Sequence, residues 1–179
     1  MNFRWIVATV CLILFTGCAA TVKRNPADTA LSEIPKSATS RLVLNVSGSS
    51  ETTSATDWDG FKLEWKENFA EQAASAGVAF EMQEGAPRAT GEDGVLLYVF
   101  IQDYRFMRPG TRYAIGILGG NAFIESKLTF SDLRTGKSYG SQEANTSSSA
   151  REGVFSAMTN KQVEAIAVDV LKQIKSAGN

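Results

Sequence analysis

Residues 95–101 have the sequence VLLYVFI, a continuous apolar run rich in β-branched and aromatic side chains. A run of this length and composition is typical of a central strand that is buried on both faces of a sheet. Polar residues follow directly, with the sequence QDYR at 102–105. We therefore predict that 95–101 lies at the centre of the fold, and that the elements on either side pair with it or pack against it.

The residues that follow predict two further strands joined by a tight turn. Apolar and polar side chains alternate over 122–132, which is the pattern of a half-buried strand. The sequence RTGK at 134–137 is typical of a hairpin turn, with Gly136 at the position that needs a positive φ. Residues 139–146 are therefore predicted to form the return strand.

The last twenty residues have the pattern of an amphipathic helix. Thr159 and Gln162 stand at the spacing of a capping box, in which two side chains satisfy backbone groups at the start of a helix. Apolar residues then recur on one helical face. They are Val163, Ile166, Ala167, Val170, Leu171 and Ile174. We expect this face to pack against the sheet.

A strand and a helix are also predicted on the N-terminal side of the central run. Leu42, Leu44 and Val46 alternate with Val43, Asn45 and Ser47, which is a strand pattern. Phe61, Trp65 and Phe69 then recur at four-residue spacing, so they line one face of a helix, and a short strand is predicted over 78–82. Trp58, Phe61 and Trp65, at i, i+3 and i+7, are interpreted as helix core rather than as a set that stacks on a ligand.

The predicted element order is β-α-β-β-β-β-α. This order corresponds to an α+β fold, with a mostly antiparallel sheet of about five strands and two helices on one face. The single domain is expected to span residues 41–179. Residues 18–40 are expected to form a flexible tether, since Pro26 and Pro35 interrupt any helix and apolar residues are scattered.

The N-terminus has the features of an export signal. Residues 1–17 begin with one basic side chain, Arg4, continue as a charge-free apolar run and end at small residues before Cys18. Residues 15–18, with the sequence FTGC, resemble the lipobox of bacterial lipoproteins. The resemblance implies that Cys18 carries diacylglycerol and an N-acyl chain after cleavage, and that Ala19 favours the outer membrane.

An ordinary signal cleaved after Ala20 is the alternative. Cysteine usage favours the lipoprotein, because the chain has no cysteine after Cys18 and so no disulfide partner for it. Cys11 lies within the signal itself.

The composition excludes several classes of function. Lys and Arg number 18 against 19 Asp and Glu, a balance that does not favour a nucleic-acid-binding domain. The chain contains no histidine, which excludes Ser-His-Asp and Cys-His catalysis and histidine-ligated metals. No catalytic residue, metal site or cofactor is therefore predicted, other than the covalent lipid on Cys18.

Residues 41–175, and most clearly the part after Val95, resemble in the order and spacing of several motifs a family of small bacterial lipoproteins known as DUF4410. The motifs are Asp103-Tyr104, Arg112, the glycine-rich stretch 116–120, Asp132 and Thr-Gly-Lys at 135–137. The element order is also similar to that of curli-secretion and penicillin-binding-protein-activator lipoproteins. The resemblance implies an envelope lipoprotein of this fold and does not fix a function.

The segment after the central strand is the best binding candidate in the chain. Arginine pairs bidentately with anions and stacks on rings, so a basic and aromatic segment suits an anionic or acidic partner. The candidate partner-binding residues are Tyr104, Arg105, Phe106, Arg108 and Tyr113. The alternative is a solvated strand connection, with Arg112 in a structural ion pair with Asp103 or Asp132.

These observations favour a non-enzymatic lipoprotein at the periplasmic face of the outer membrane. It would act as an accessory or partner-binding component of the cell envelope, with a membrane anchor and a protein partner. Two other classes of function stay open. One is an enzyme that acts on envelope glycans through carboxylates, and the other is a carrier of a small apolar or lipid ligand.

Overall fold

The computed structural model of the chain describes residues 22–23, 31–106, 122–147 and 159–178. Residues 1–17 and Cys18 lie outside these ranges. The elements, in chain order, are β1 (Val22–Lys23), a 3-10 helix (Lys36–Ser40), β2 (Arg41–Gly48), α1 (Ser50–Thr53), α2 (Trp58–Ala76), β3 (Ala79–Met82), β4 (Val95–Arg105), β5 (Phe123–Asp132), β6 (Ser138–Ser147) and α3 (Thr159–Ala177). None of the helices described is both long and apolar enough to span a bilayer.

The six strands form one mixed sheet in the order β1-β6-β5-β4-β2-β3. The run 95–101 lies in β4, one of the two middle strands, and Val95, Leu97, Val99 and Ile101 are completely buried. Strands β4, β5, β6 and β1 pair antiparallel, whereas β2 pairs parallel with both β3 and β4. The predicted α+β class is confirmed, and the prediction of a mostly antiparallel sheet is wrong.

The parallel pairs arise from the two connections around β2. Parallel neighbours need a crossover that returns the chain to the starting end of the sheet, and α2 is that crossover between β2 and β3. Residues 83–94 make the second crossover, to β4 on the other side of β2. The buried Asn45 of β2 holds this segment, because its side-chain amide donates to the carbonyl oxygens of Gln83 and Gly85, both at 2.9 Å.

Helices α2 and α3 pack together on one face of the sheet and enclose the main core. Phe61, Trp65 and Phe69 are fully buried there, as their spacing predicts. The short α1 and the 3-10 helix are additional to the two helices predicted from the sequence. The second face has a smaller cluster of Val43, Leu96 and Leu133.

Part of the segment predicted to be a tether packs against the domain. Ile34 and Ala38 are only 1% and 2% exposed. The backbone N–H of Ser32 donates to the carbonyl of Tyr139 at 2.8 Å, and the hydroxyl of Ser32 donates to the same oxygen. The packed structure therefore includes residues on the N-terminal side of Arg41.

A hydrogen-bonded turn joins β5 to β6. Gly136 has a φ of +75°, as the sequence predicts. One carboxylate oxygen of Asp132 accepts from the backbone N–H and the hydroxyl of Thr135, at 2.7 and 3.0 Å, and the other accepts from the hydroxyl of Tyr139 at 2.7 Å. The hydroxyl of Tyr139, together with the donors of Thr135, holds the pKa of Asp132 below its usual value.

We predict that this carboxylate contributes to stability in a pH-dependent way. A lowered folded-state pKa stabilises the fold above the unfolded value of about 3.9, and this contribution is lost as the pH falls through the folded-state pKa. Asp132→Asn should therefore be less stable than the wild type at pH 7, and the difference should shrink below about pH 4. Urea unfolding of both proteins between pH 7 and pH 2.5 measures it. A difference that is constant across this range would contradict the prediction.

Candidate functional site

A cavity of about 690 Å³ opens at one end of the sheet. It lies where β2 finishes, with Gly48 opposite Ile101, and where the parallel strand β4 continues to Arg105. Residues 102–106, residues 49–57 and Phe123 of β5 contribute to its walls. We call this end of the sheet the pocket end, and the opposite end, formed by the turn at 132–137, the hairpin end.

Aromatic side chains of α2 pack against Tyr104 and Phe106, two aromatic residues that line the cavity. The rings of Phe61 and Tyr104 are stacked, with centroids 4.1 Å apart and an interplanar angle of 14°. Trp58 packs on Tyr104 at 6.0 Å, and Phe106 meets Phe61 edge to face at 6.0 Å. Because Phe61 is fully buried, these contacts fix the last residues of β4 against the core.

A hydrogen bond connects Tyr104 to the N-cap residue of α2. The hydroxyl of Tyr104 donates to a carboxylate oxygen of Asp57 at 2.7 Å. Asp57 is the N-cap residue of α2, and its side chain makes no capping hydrogen bond to the helix. Burial, and then the adjacent carboxylate of Asp57, raise the pKa of Tyr104 above its ordinary value, so the phenol stays a hydrogen-bond donor at physiological pH.

The rim of the cavity is charged and exposed. The guanidinium of Arg105 lies 5.8 Å from the ring centroid of Phe123, in the range of a cation–π contact. Asp103 accepts a hydrogen bond from the backbone N–H of Tyr104 at 2.8 Å. Glu51 and Asp57 also line the cavity, so it combines one arginine with several carboxylates and aromatic rings. Such a surface is suited to recognising polar or charged groups.

The structure brings together three of the five residues predicted to bind a partner. Tyr104, Arg105 and Phe106 are consecutive and all line the cavity. The other two, Arg108 and Tyr113, fall outside the described residues.

The predicted ion pair is only partly described. Arg112 lies outside the described residues, while Asp103 and Asp132 lie at opposite ends of the β4–β5 pair. No single arginine can therefore reach both carboxylates. Both carboxylate oxygens of Asp132 already accept hydrogen bonds from the hairpin turn.

Three contributors to the site were not predicted as such. Asp57, Phe123 and Glu51 come from parts of the chain remote from 104–106, and their own sequence contexts carry no binding motif. In the described ranges, no three Asp, Glu, Cys or His side chains are grouped in a way that could hold a metal ion.

Comparisons with known proteins give structural matches only. No model of a known protein family matches the chain, and no curated protein matches it. Membership of DUF4410 is therefore not confirmed.

Three solved structures are similar to this chain over most of its length. A single-substitution variant of the PelC dodecamer from Paraburkholderia phytofirmans is 13% identical, with a TM-score of 0.51, covering 87% of this chain and 96% of that one. Protein XCC0632 from Xanthomonas campestris, of family DUF330, is 14% identical, with coverages of 89% and 94% and a TM-score of 0.46. A lipoprotein from Neisseria meningitidis is 14% identical, with coverages of 76% and 99% and a TM-score of 0.42. At these identities the similarity to PelC shows a shared fold and nothing about function.

Proposed function

We propose that this protein is a lipid-anchored, non-enzymatic accessory component of the bacterial cell envelope, which binds a partner through the rim of the cavity. The anchor would be Cys18, with the domain at the periplasmic face of the outer membrane. The rim residues would be Tyr104, Arg105 and Phe106.

The observation that carries this proposal is the set of contacts that Arg105 and its neighbour Tyr104 make. It is exposed at the cavity rim and stacked near Phe123, while the neighbouring Tyr104 is fixed by Phe61 and Asp57. Arginine and aromatic residues are enriched at the hot spots of binding sites. A side chain on a rigid platform loses less conformational entropy on binding, so more of its contact energy is retained.

The enzymatic alternative has less support from the geometry. Acid–base chemistry on a glycan needs two carboxyl groups that flank a scissile bond. At this site, Asp57 accepts from the phenol of Tyr104 and Asp103 accepts from a backbone N–H. Both groups therefore have structural roles already, and Glu51 is the remaining carboxylate in the cavity wall.

The carrier alternative needs a dry cavity between the helices and the sheet. Three aromatic side chains of α2, those of Phe61, Trp65 and Phe69, lie in that space and are fully buried. The cavity at the pocket end instead has acidic and basic side chains in its walls. This lining suits a polar surface of a partner better than an apolar ligand.

We predict that Arg105→Ala weakens association with the partner by about tenfold or more, the effect of a residue worth at least ~1.4 kcal/mol. The melting temperature should hardly change, because exposed charges contribute little to stability. Crosslinking of the native lipoprotein in its membrane, followed by affinity measurement with the captured partner, tests this. The native mass of the captured complex shows whether the partner is a second copy of the chain.

Arg134→Ala is the matched control for this experiment. Arg134 is an exposed arginine at the hairpin end, paired with Asp93, and should be silent in binding. Equal effects of the two substitutions, or crosslinks confined to the outer face of α3, would show that the cavity rim is the wrong surface.

A further inference from the structure

Strand β1 fixes the direction from which the N-terminal segment reaches the domain. It pairs antiparallel with β6, with Val22 opposite Thr146 and Lys23 opposite Asn145. Strand β6 ends at Ser147, so Val22 lies beside its last residues. Because the pairing is antiparallel, the chain before Val22 arrives from the end of the sheet at which β6 finishes.

That end is the pocket end. Ser147 is opposite Phe123, the first residue of β5, and Phe123 is opposite Arg105, the last residue of β4. Strand β1 therefore enters the sheet from the same end that carries the cavity and its arginine.

The reach of this segment is short. Four residue steps separate Cys18 from Val22, and an extended chain covers at most about 3.3–3.6 Å per step, so the span is at most about 14 Å. A free tether from 18 to 40 would instead span as much as about 75 Å when extended. Pairing of β1 with β6 thus replaces a long tether by a very short one.

We propose that the pocket end of the sheet faces the lipid bilayer, with the hairpin end directed away from it. The proposal rests on the lipid anchor at Cys18 proposed above, and the surface recognised is the headgroup layer. A strand of ten residues is about 34 Å long, so the hairpin end lies about 30 Å farther from the bilayer.

The pocket end carries aromatic rings and one exposed arginine, together with the carboxylates of Glu51, Asp57 and Asp103. Arg105 is exposed and lies over the ring of Phe123. Aromatic rings are favoured at the interface between lipid and water, whereas three carboxylates outnumber the one arginine, so the orientation rests on the position of the anchor rather than on charge. A partner that binds the cavity rim would therefore bind at the membrane surface.

Two single-cysteine variants of the lipidated protein test this orientation. Gln102→Cys places a fluorescent label at the pocket end and Lys137→Cys places one at the hairpin end, both at exposed positions. The mature chain offers no competing thiol, since the sulfur of Cys18 carries the lipid. The proteins are reconstituted into phosphatidylethanolamine–phosphatidylglycerol vesicles that contain a headgroup-attached quencher.

We expect the label at 102 to be quenched several-fold more strongly than the label at 137. Equal quenching, or stronger quenching at 137, would overturn the proposal. Intact mass of the same preparation distinguishes a failure of the lipid-anchor hypothesis from a failure of the orientation hypothesis. An unmodified Cys18 would refute both the anchor and the orientation, whereas a lipidated protein with equal quenching would refute the orientation alone.

Val22→Pro in the two labelled proteins tests the role of β1. Proline cannot donate a hydrogen bond to the neighbouring strand and is poorly tolerated within a strand pair. The difference in quenching should fall at least twofold in this background, because detachment of β1 lengthens the tether. A difference that does not change would show that β1 does not set the orientation.

Discussion

Deletion of residues 159–179 is expected to abolish cooperative folding of the protein. Helix α3 contributes a continuous buried face to the core. Burial of each large apolar side chain contributes roughly 1.5–3 kcal/mol, and a whole domain has a net stability of only about 5–15 kcal/mol. The buried residues are Val163, Ile166, Ala167, Val170, Leu171 and Ile174. Thermal unfolding followed by circular dichroism should show no cooperative transition.

Val168→Ala is the matched control on the same helix. Val168 is 48% exposed, so its truncation should change the free energy of unfolding by no more than about 0.5 kcal/mol. A truncated protein that melts cooperatively near the parent temperature would show that α3 is peripheral to the fold.

Cys18→Ser is expected to move essentially all of the protein from the membrane fraction to the soluble periplasm. The hydroxyl of serine does not accept the diacylglycerol, and without acyl chains the domain loses its stable anchor. One chain alone gives only marginal binding, about 10⁴ M⁻¹, so stable attachment needs at least two. Fractionation followed by intact mass spectrometry measures both the location and the modification.

Cys11→Ser separates this effect from a general effect of losing a thiol. Cys11 lies within the apolar part of the predicted signal and should leave with it, so this substitution should change neither location nor mass of the mature protein. A wild-type protein with an unmodified N-terminus at Thr21 would show instead that an ordinary signal peptidase cleaves after Ala20.

Local patterns predicted the elements of the fold, and long-range contacts decided their arrangement. Alternation and apolar runs identified β4, β5 and both long helices, because burial imposes a period on each element. The direction of β4 beside β2 depends on where residues 83–94 run. Asn45 holds this segment through hydrogen bonds to Gln83 and Gly85, about forty residues away. No local sequence pattern predicts these contacts.

The start of α3 is a second case in which a local sequence motif does not predict a long-range contact. Thr159 and Gln162 fit a capping box, yet the side-chain amide of Gln162 donates to the carbonyl of Ala122, at 2.9 Å. Its side-chain oxygen has no hydrogen-bond partner within the described ranges. A buried glutamine at this spacing satisfies the sequence motif, but its surroundings in the folded protein direct it to another element.

The candidate site was predictable only where its residues are consecutive. Tyr104, Arg105 and Phe106 stand out as a basic and aromatic group in the sequence. Asp57 is 47 positions away from Tyr104, and the carboxylate reads as an ordinary helix cap until the fold brings the two together. The local sequence therefore indicated the candidate binding residues, whereas the residue that supports Tyr104 became apparent only from the fold.

The pairing of β1 with β6 also bears on solubility. Without β1, the backbone N–H and C=O groups along the end of β6 form an open sheet edge, which is a template for pairing with another polypeptide. The opposite edge is β3, only four residues long, which limits pairing there. A protein that has lost its first residues to proteolysis is therefore more prone to edge-to-edge aggregation than the intact chain.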